Sequence, residues 1–331
     1  MTIGFILFHR GIGDYCVAFK ALYLMKHIYG ARIVVFGNKA VCNLLEYASY
    51  IDQCEDIGEL NQKSVECINS YHCDCAILVQ ARSKSIKALE SSNIKKVITP
   101  LKLRSLISPK CRTSIWLFLR HRMISMTDVM CELARYINPK LYDKHIAEIK
   151  IPAKLISTAP KHKKAISEFL TTNCPNREFV IINPFSVSAF SSLSLEGFLE
   201  LIERFEKRFS KYVPLVITYP AVHTQFMQNL KDSKRSFSSL VVFENNDDLL
   251  YLVEMVDCAK CVISPSTGVI HIASCLHIPT IGLFSKRDIV HWGTLDKCYV
   301  EIPKPLSTIN KQEEEIIIEE TLRVFGECCA K

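Results

Sequence analysis

The chain has 331 residues, a formal net charge of +7 and 49% apolar residues. That length exceeds the usual span of one hydrophobic core and calls for two domains of about 150 residues each. No low-complexity tract occurs and no run approaches the roughly 18 apolar residues of a membrane span, which excludes disordered and membrane-spanning classes. Without a basic region, a long apolar run and a cleavage site at the amino terminus, a cytoplasmic protein is expected.

Along the chain, short apolar runs suited to strands alternate with amphipathic segments suited to helices. The strand candidates of the first half are residues 3–8, 32–36, 75–79 and 96–98, with helices at 16–29 and 39–48. In the second half, strands are predicted at 179–183, 214–218, 240–243, 261–264 and 280–284, and helices at 195–209, 222–230, 249–258 and 269–276. Such alternation builds βαβ units and parallel sheets. The pattern restarts near residue 179 after a stretch with several prolines and lysines, so domains of residues 1–155 and 156–331 are expected. Residues 313–325 predict a last helix with an acidic first half, free to pack back on the first domain.

The fifteen cysteines mostly sit inside apolar segments, as Cys16, Cys42, Cys131 and Cys275 do. Cys73-x-Cys75, Cys258-x-x-Cys261 and Cys328-Cys329 each lack a second pair at zinc spacing. Reduced thiols and no structural metal are therefore expected.

Residues 3–14 read IGFILFHRGIGD. Gly11 and Gly13 suit the turn of a nucleotide-binding βαβ unit, where glycine lets the backbone close on a pyrophosphate. The dinucleotide fingerprint also needs a small residue where Cys16 stands and an acid at the end of strand two, where the chain reads FGNK. Failing both positions argues against a nicotinamide enzyme. Asp14 then has two readings: a helix cap contributing roughly 1 kcal/mol, or a carboxylate at a strand's carboxyl end, placed to take a proton from a hydroxyl.

From Arg82 to Arg122, eleven cations accompany one acid, Glu90. Such a run is either a solvated face or a surface for a polyanion such as phosphorylated lipid, nucleic acid or an anionic sugar. No nucleic-acid module accompanies it, so nucleic acid is not an expected partner.

Residues 261–293 read CVISPSTGVIHIASCLHIPTIGLFSKRDIVHWG. A strand ends at Ser264, the turn Ser266-Thr267-Gly268 follows, and a helix starts near Val269 with His271 on its first turn. Open backbone N–H groups, hydroxyls and the positive helix end suit a phosphate; His271 either adds a donor or is structural. The next strand ends in Ser285-Lys286-Arg287, two cations at the same sheet edge.

This segment resembles glycosyltransferase family 9, the lipopolysaccharide heptosyltransferases, whose signature runs D-T-G-x-x-H-x-A-A between two strands. Here residues 266–274 read STGVIHIAS. The Gly13-Asp14 pair, residues 71–84 as a third strand with its basic loop, residues 180–205 and residues 246–264 resemble the family in order across most of the chain.

The resemblance implies an α/β GT-B architecture: two Rossmann-like parallel-sheet domains facing across a cleft, the first for an acceptor and the second for a sugar nucleotide. It implies inverting transfer without metal or other cofactor, of a heptose from ADP-heptose to the lipopolysaccharide inner core, with Asp14 as general base. Ser266, Thr267, Gly268 and His271 would hold the donor diphosphate with Ser186 and Ser188. The family's signature aspartate is Ser266 here, and its lysine after the second domain's first strand has no equivalent, so Lys286 and Arg287 are expected to supply the charge. Gly13, Arg82 and Lys84 fall on the acceptor side. Arg120 and Arg122 are expected to meet inner-core or lipid A phosphates, or to make peripheral contact with the anionic inner membrane. The alternatives are a family 9 enzyme with another sugar nucleotide or acceptor, and a catalytically silent GT-B protein binding nucleotide or glycolipid. The sequence does not indicate an oligomeric state.

Overall fold

The computed structural model describes residues 1–8, 11–186, 192–293 and 298–330. The chain divides into two units, Met1–Leu155 and Ile156–Lys331. In the first, the elements in chain order are β1 (Thr2–Ile6), α1 (Ile12–Tyr29), β2 (Arg32–Gly37), α2 (Lys39–Leu45), β3 (Gln53–Asp56), α3 (Gln62–Ser70) and β4 (Cys75–Leu78). There follow α4 (Ser83–Glu90), β5 (Val97–Ile98), α5 (Leu103–Ile107), β6 (Cys111–Arg112), α6 (Ile115–Arg120), α7 (Met126–Arg135) and α8 (Pro139–His145).

The strands form one parallel sheet in the order β3-β2-β1-β4-β5-β6, with Ile6 opposite both Phe36 and Leu78. β1, β2 and β4 are almost wholly apolar because a parallel sheet is covered on both faces. The order reverses between β1 and β4, and their carboxyl ends flank the crevice where such sheets bind ligands. The basic loop at Arg82 therefore follows the fourth strand in the chain. The third, β3, escapes a reading by hydropathy because its residues are QCED and it pairs on one side only.

The expectation of reduced thiols fails at one place. Cys42 on α2 and Cys54 on β3 are joined as a disulfide, their Cα atoms 5.3 Å apart. The chain folds back between them, bringing α2 over its own sheet edge; a spacing of twelve residues is no recognisable motif. Burial pushes the Cys73 and Cys75 thiols up to about 11.

The second unit contains α9 (Pro160–Asn173), β7 (Glu178–Ile182), α10 (Leu195–Arg208), β8 (Tyr212–Thr218), α11 (Pro220–Asp232), β9 (Val241–Glu244), α12 (Leu249–Asp257) and β10 (Cys261–Pro265). It continues with α13 (Gly268–Cys275), β11 (Thr280–Phe284), α14 (Lys286–Trp292), β12 (Cys298–Glu301) and α15 (Lys311–Cys328). Its sheet is also parallel, in the order β12-β11-β10-β7-β8-β9, and reverses between β7 and β10.

Two side-chain arrangements tie helices onto this sheet. The fully buried His162 of α9 takes the Ala159 N–H on Nδ1, so its Nε2–H is the proton donated to Asp248, 3.0 Å away, which also caps α12. At the end of the unit, Glu314 of α15 accepts from the Ser194 N–H at 2.6 Å and its hydroxyl at 3.0 Å. Arg204 of α10 meets Glu315 and Glu319 at 3.2 and 2.7 Å, which accounts for the acidic first half of α15. Phe325 then packs edge-on against Phe205, Phe209 and Tyr212, with centroids 4.9, 4.8 and 5.3 Å away. These partners of the last helix all belong to its own unit. Among the described residues, no helix is long and apolar enough to cross a membrane.

Candidate functional site

In the second unit, the carboxyl ends of β7 and β10 meet at the reversal of strand order. Asn183, directly after β7, is 3% exposed. Its Nδ2 donates to Ser264 Oγ and Thr267 Oγ1, each at 3.0 Å, and to the Phe185 carbonyl at 3.2 Å. The Ser264 and Thr267 hydroxyls lie 2.9 Å from one another. Thr267 is the N-cap residue of α13, yet its side chain makes no cap bond. A threonine there ordinarily closes one of the open N–H groups of the first turn. Drawn instead toward Asn183, it does not cap that turn or its positive end, while Ser266, Thr267 and Gly268 remain partly exposed. An oxyanion fits such a place.

His271, one turn into α13, is buried, and its ring stands edge-on to Trp292 of α14 at 5.8 Å. It thereby links α13 to α14. Lys286 and Arg287 are the first two residues of α14, beyond the carboxyl end of β11, and both are exposed. Ser285 caps that helix, accepting from the Asp288 N–H at 3.2 Å. Neither cation makes an ion pair among the described residues. Because β11 neighbours β10 in parallel, the two cations leave the same sheet edge as the Ser266 turn. Ser186 follows β7 and is half-buried. Ser188 lies outside the described residues. A hollow of about 410 Å³ lined by Lys163, Thr171, Glu254 and Cys258 lies between α9 and α12, where these helices lead into the amino ends of β7 and β10, on the opposite sheet edge.

The reversal point of the first sheet gathers a second set. Gly11 is the N-cap of α1 and has no side chain to offer. Asp14 is the third helical residue, half-buried, and its N–H donates to the Gly11 carbonyl at 3.2 Å. Its Oδ2 lies 2.9 Å from where a Cβ on Gly11 would stand, so the carboxylate is folded back over the first turn. Asp14 is thus an acid at a helix's positive end rather than the N-cap itself. Gly13 precedes it within the same turn. The neighbouring Tyr15 is fully buried and accepts from Asn38 Nδ2 at 2.5 Å, while Asn38 Oδ1 caps α2 through the Val41 N–H at 3.1 Å. Burial, eased by the Asn38 hydrogen bond, leaves the Tyr15 phenol raised. The strand-two position that would hold a ribose in a dinucleotide site is therefore spent on fixing α1 and α2.

Arg82 is the N-cap residue of α4 and Lys84 stands in its first turn, both exposed and both leaving β4 next to β1. Gly13, Asp14, Arg82 and Lys84 thus share adjoining strand ends. Arg120 and Arg122 do not, because α6 follows β6, two strands further out at the sheet edge. Sequence reasoning passed over Asn183 and Ser264, whose partners are far away in the chain.

Residues 161–320 match the family described as glycosyltransferase family 9 (heptosyltransferase). No curated protein matches the chain in sequence. Among solved structures, a family 9 glycosyltransferase of Veillonella parvula is similar at 13% identity with a TM-score of 0.79, covering 98% of this chain and 97% of that one. The E. coli ADP-heptose lipopolysaccharide heptosyltransferase II is similar at 15% identity and TM-score 0.72, covering 99% of each chain. An E. coli heptosyltransferase solved with ADP gives 15% and 0.69, covering 100% of this chain and 99% of that one. At these identities the likeness establishes the fold, GT-B; the family match of residues 161–320 makes the activity that of a glycosyltransferase.

Proposed function

With residues 161–320 matching glycosyltransferase family 9 as the premise, we propose that this chain moves a heptose from ADP-heptose to the inner core of lipopolysaccharide, inverting the anomeric centre without a metal. The acceptor hydroxyl gives its proton to Asp14, its oxygen bonds to the anomeric carbon, and the bond to the diphosphate breaks. The departing nucleoside diphosphate carries the electron pair, and fixed donors facing that charge stabilise the transition state. The first turn of α13, which Thr267 does not cap, supplies such donors, and Lys286 and Arg287 add positive charge. Arg82 and Lys84, beside the Asp14 strand end, suit a phosphorylated acceptor, and Arg120 and Arg122 suit the anionic surface that carries it.

The observation that carries this reading is the Thr267 hydroxyl held by Asn183 and Ser264 instead of by its own helix. Ser266, standing where the family has an aspartate, favours a second reading in which another sugar nucleotide is the donor. Thermal-shift titration with ADP, UDP and GDP separates the two, since a ligand bound to the folded state raises its stability by mass action. Preferential stabilisation by ADP, with ADP-heptose consumed in an acceptor assay, is the expected result. A preference for UDP or GDP moves the donor to the second reading, and no response to any of the three removes both.

A further inference from the structure

Among the described residues, eight of the fourteen exposed large apolar side chains fall between Leu103 and Met123. The other six are scattered, as is ordinary on a protein surface. On α5, Leu103, Leu106 and Ile107 face solvent while Ser105 is buried. On α6, Ile115, Trp116, Phe118 and Leu119 face solvent and Leu117 alone is buried. At 100° per residue, the exposed apolar residues of α5 span about 100° of arc and those of α6 about 160°. Both helices turn their apolar side outward. Leu103 is 81% exposed and Trp116 is 70% exposed, so these are not rims of a core.

The charges around them are of one sign. Residues 91–127 contain no acid at all. Lys102 precedes α5, Arg120 ends α6 and Arg122 follows it, all exposed. Arg104 is already neutralised by Glu90. Contact with a second copy through this face would oppose its own cations. An anionic bilayer surface satisfies both features, taking the apolar arcs into the headgroup boundary and the cations onto lipid phosphates.

We propose that α5 and α6 form a membrane-docking face, inserting Trp116, Phe118 and the outward leucines into an anionic leaflet while Lys102, Arg120 and Arg122 hold headgroups. The inference rests on the reading of a lipid-anchored acceptor in naming which membrane partner is engaged, and it assigns Arg120 and Arg122 to the bilayer instead of the acceptor. Insertion at the interface suits helices this short, which fix a protein to one face of a bilayer without crossing it.

The test is co-sedimentation of the full chain with phosphatidylcholine vesicles, with and without phosphatidylglycerol, in the absence of nucleotide and acceptor. In a Trp292→Phe background, Trp116 is the one indole of the two in the sequence that remains, and its emission reports its surroundings. Binding only to anionic vesicles, with a blue shift, is expected. Trp116→Ser with Phe118→Ser should lower partitioning by roughly tenfold or more, and Arg120→Glu with Arg122→Glu should remove the preference for anionic lipid. These positions are exposed, and unchanged far-UV melts would show that the variants fold. No vesicle binding at low salt, or equal binding by the serine variant, overturns the proposal. So does a wild-type dimer in sedimentation that dissociates with the serine variant, which assigns the face to a second copy. Nucleotide binding is read separately, so failure here leaves the donor reading standing, and failure there leaves this one.

Discussion

Asn183 donates to the Thr267 hydroxyl at 3.0 Å, joining the first strand of the second sheet to a turn 84 residues later. Removing that donor with Asn183→Ala releases the hydroxyl to cap α13 and compete with an incoming phosphate. ADP affinity should fall about tenfold, the worth of one hydrogen bond, with a lower melting temperature because Ser264 also loses a partner. Isothermal titration checks it. Affinity equal to wild type would show that the position of this hydroxyl is irrelevant to binding.

Asp14→Asn keeps the shape of the side chain and removes its basicity. Transfer should fall by roughly two to four orders of magnitude, while ADP binding, assigned to the other unit, stays as it was. The helix loses an acid at its positive end, for about 0.3–1 kcal/mol of stability. A variant that transfers normally would leave Asp14 with the structural part alone.

Lys286 and Arg287 are exposed and have no ion-pair partner among the described residues. The double alanine variant should bind ADP about tenfold more weakly, and with a shallower dependence on salt, because exposed charges act through screened attraction. An unchanged affinity across a salt series would exclude them from the donor site.

The alternation of strands and helices, the central strands of both sheets and both small-residue turns were legible in sequence, because buried parallel strands are continuous apolar runs; the edge strands β3, β6 and β12 were not, being short or polar. Asn183 was not. An asparagine after a strand carries no local signal, and its meaning comes from hydroxyls 81 and 84 residues away. The segment IWLFLR at residues 115–120 could be recognised as apolar, but nothing in its composition says which way a helix turns. The cysteine pair was equally hidden, since only the packing of α2 on β3 brings Cys42 to Cys54.

A Cβ on Gly197 would stand 2.9 Å from Glu314 Oε1, which is held in place by Ser194. Gly197→Ala should therefore destabilise the wild-type protein by displacing that carboxylate. In a Glu314→Ala background the same change should stabilise, by about 0.5–1 kcal/mol of helix propensity. Urea denaturation of the four proteins measures it; the same sign in both backgrounds would rule out the steric account.

Burial alone would raise the Asp52 carboxyl, but the Lys26 ammonium at 2.7 Å, the Ile33 N–H and the charge of Arg32 outweigh it and hold it below 3.8. A carboxyl lowered by folding contributes stability above its unfolded pKa and loses it as pH falls through the folded value. Asp52→Asn should thus be less stable than wild type near neutral pH, with the difference closing below about pH 4. Denaturation midpoints across that range test the sign, and a gap that persists in acid would contradict it.

The docking of α15 also has a consequence for how the protein is made. All strands of the first sheet have been synthesised by Arg112, and α7, which packs on α1, by Arg135. That unit can fold while the remainder is still being translated. In the second, Ile317, Ile318, Leu322 and Phe325 belong to the same core as Val180, Phe198 and Ile263. Its apolar interior stays open through the synthesis of nearly the whole unit, so the later half of the nascent chain exposes apolar surface for longer than the first.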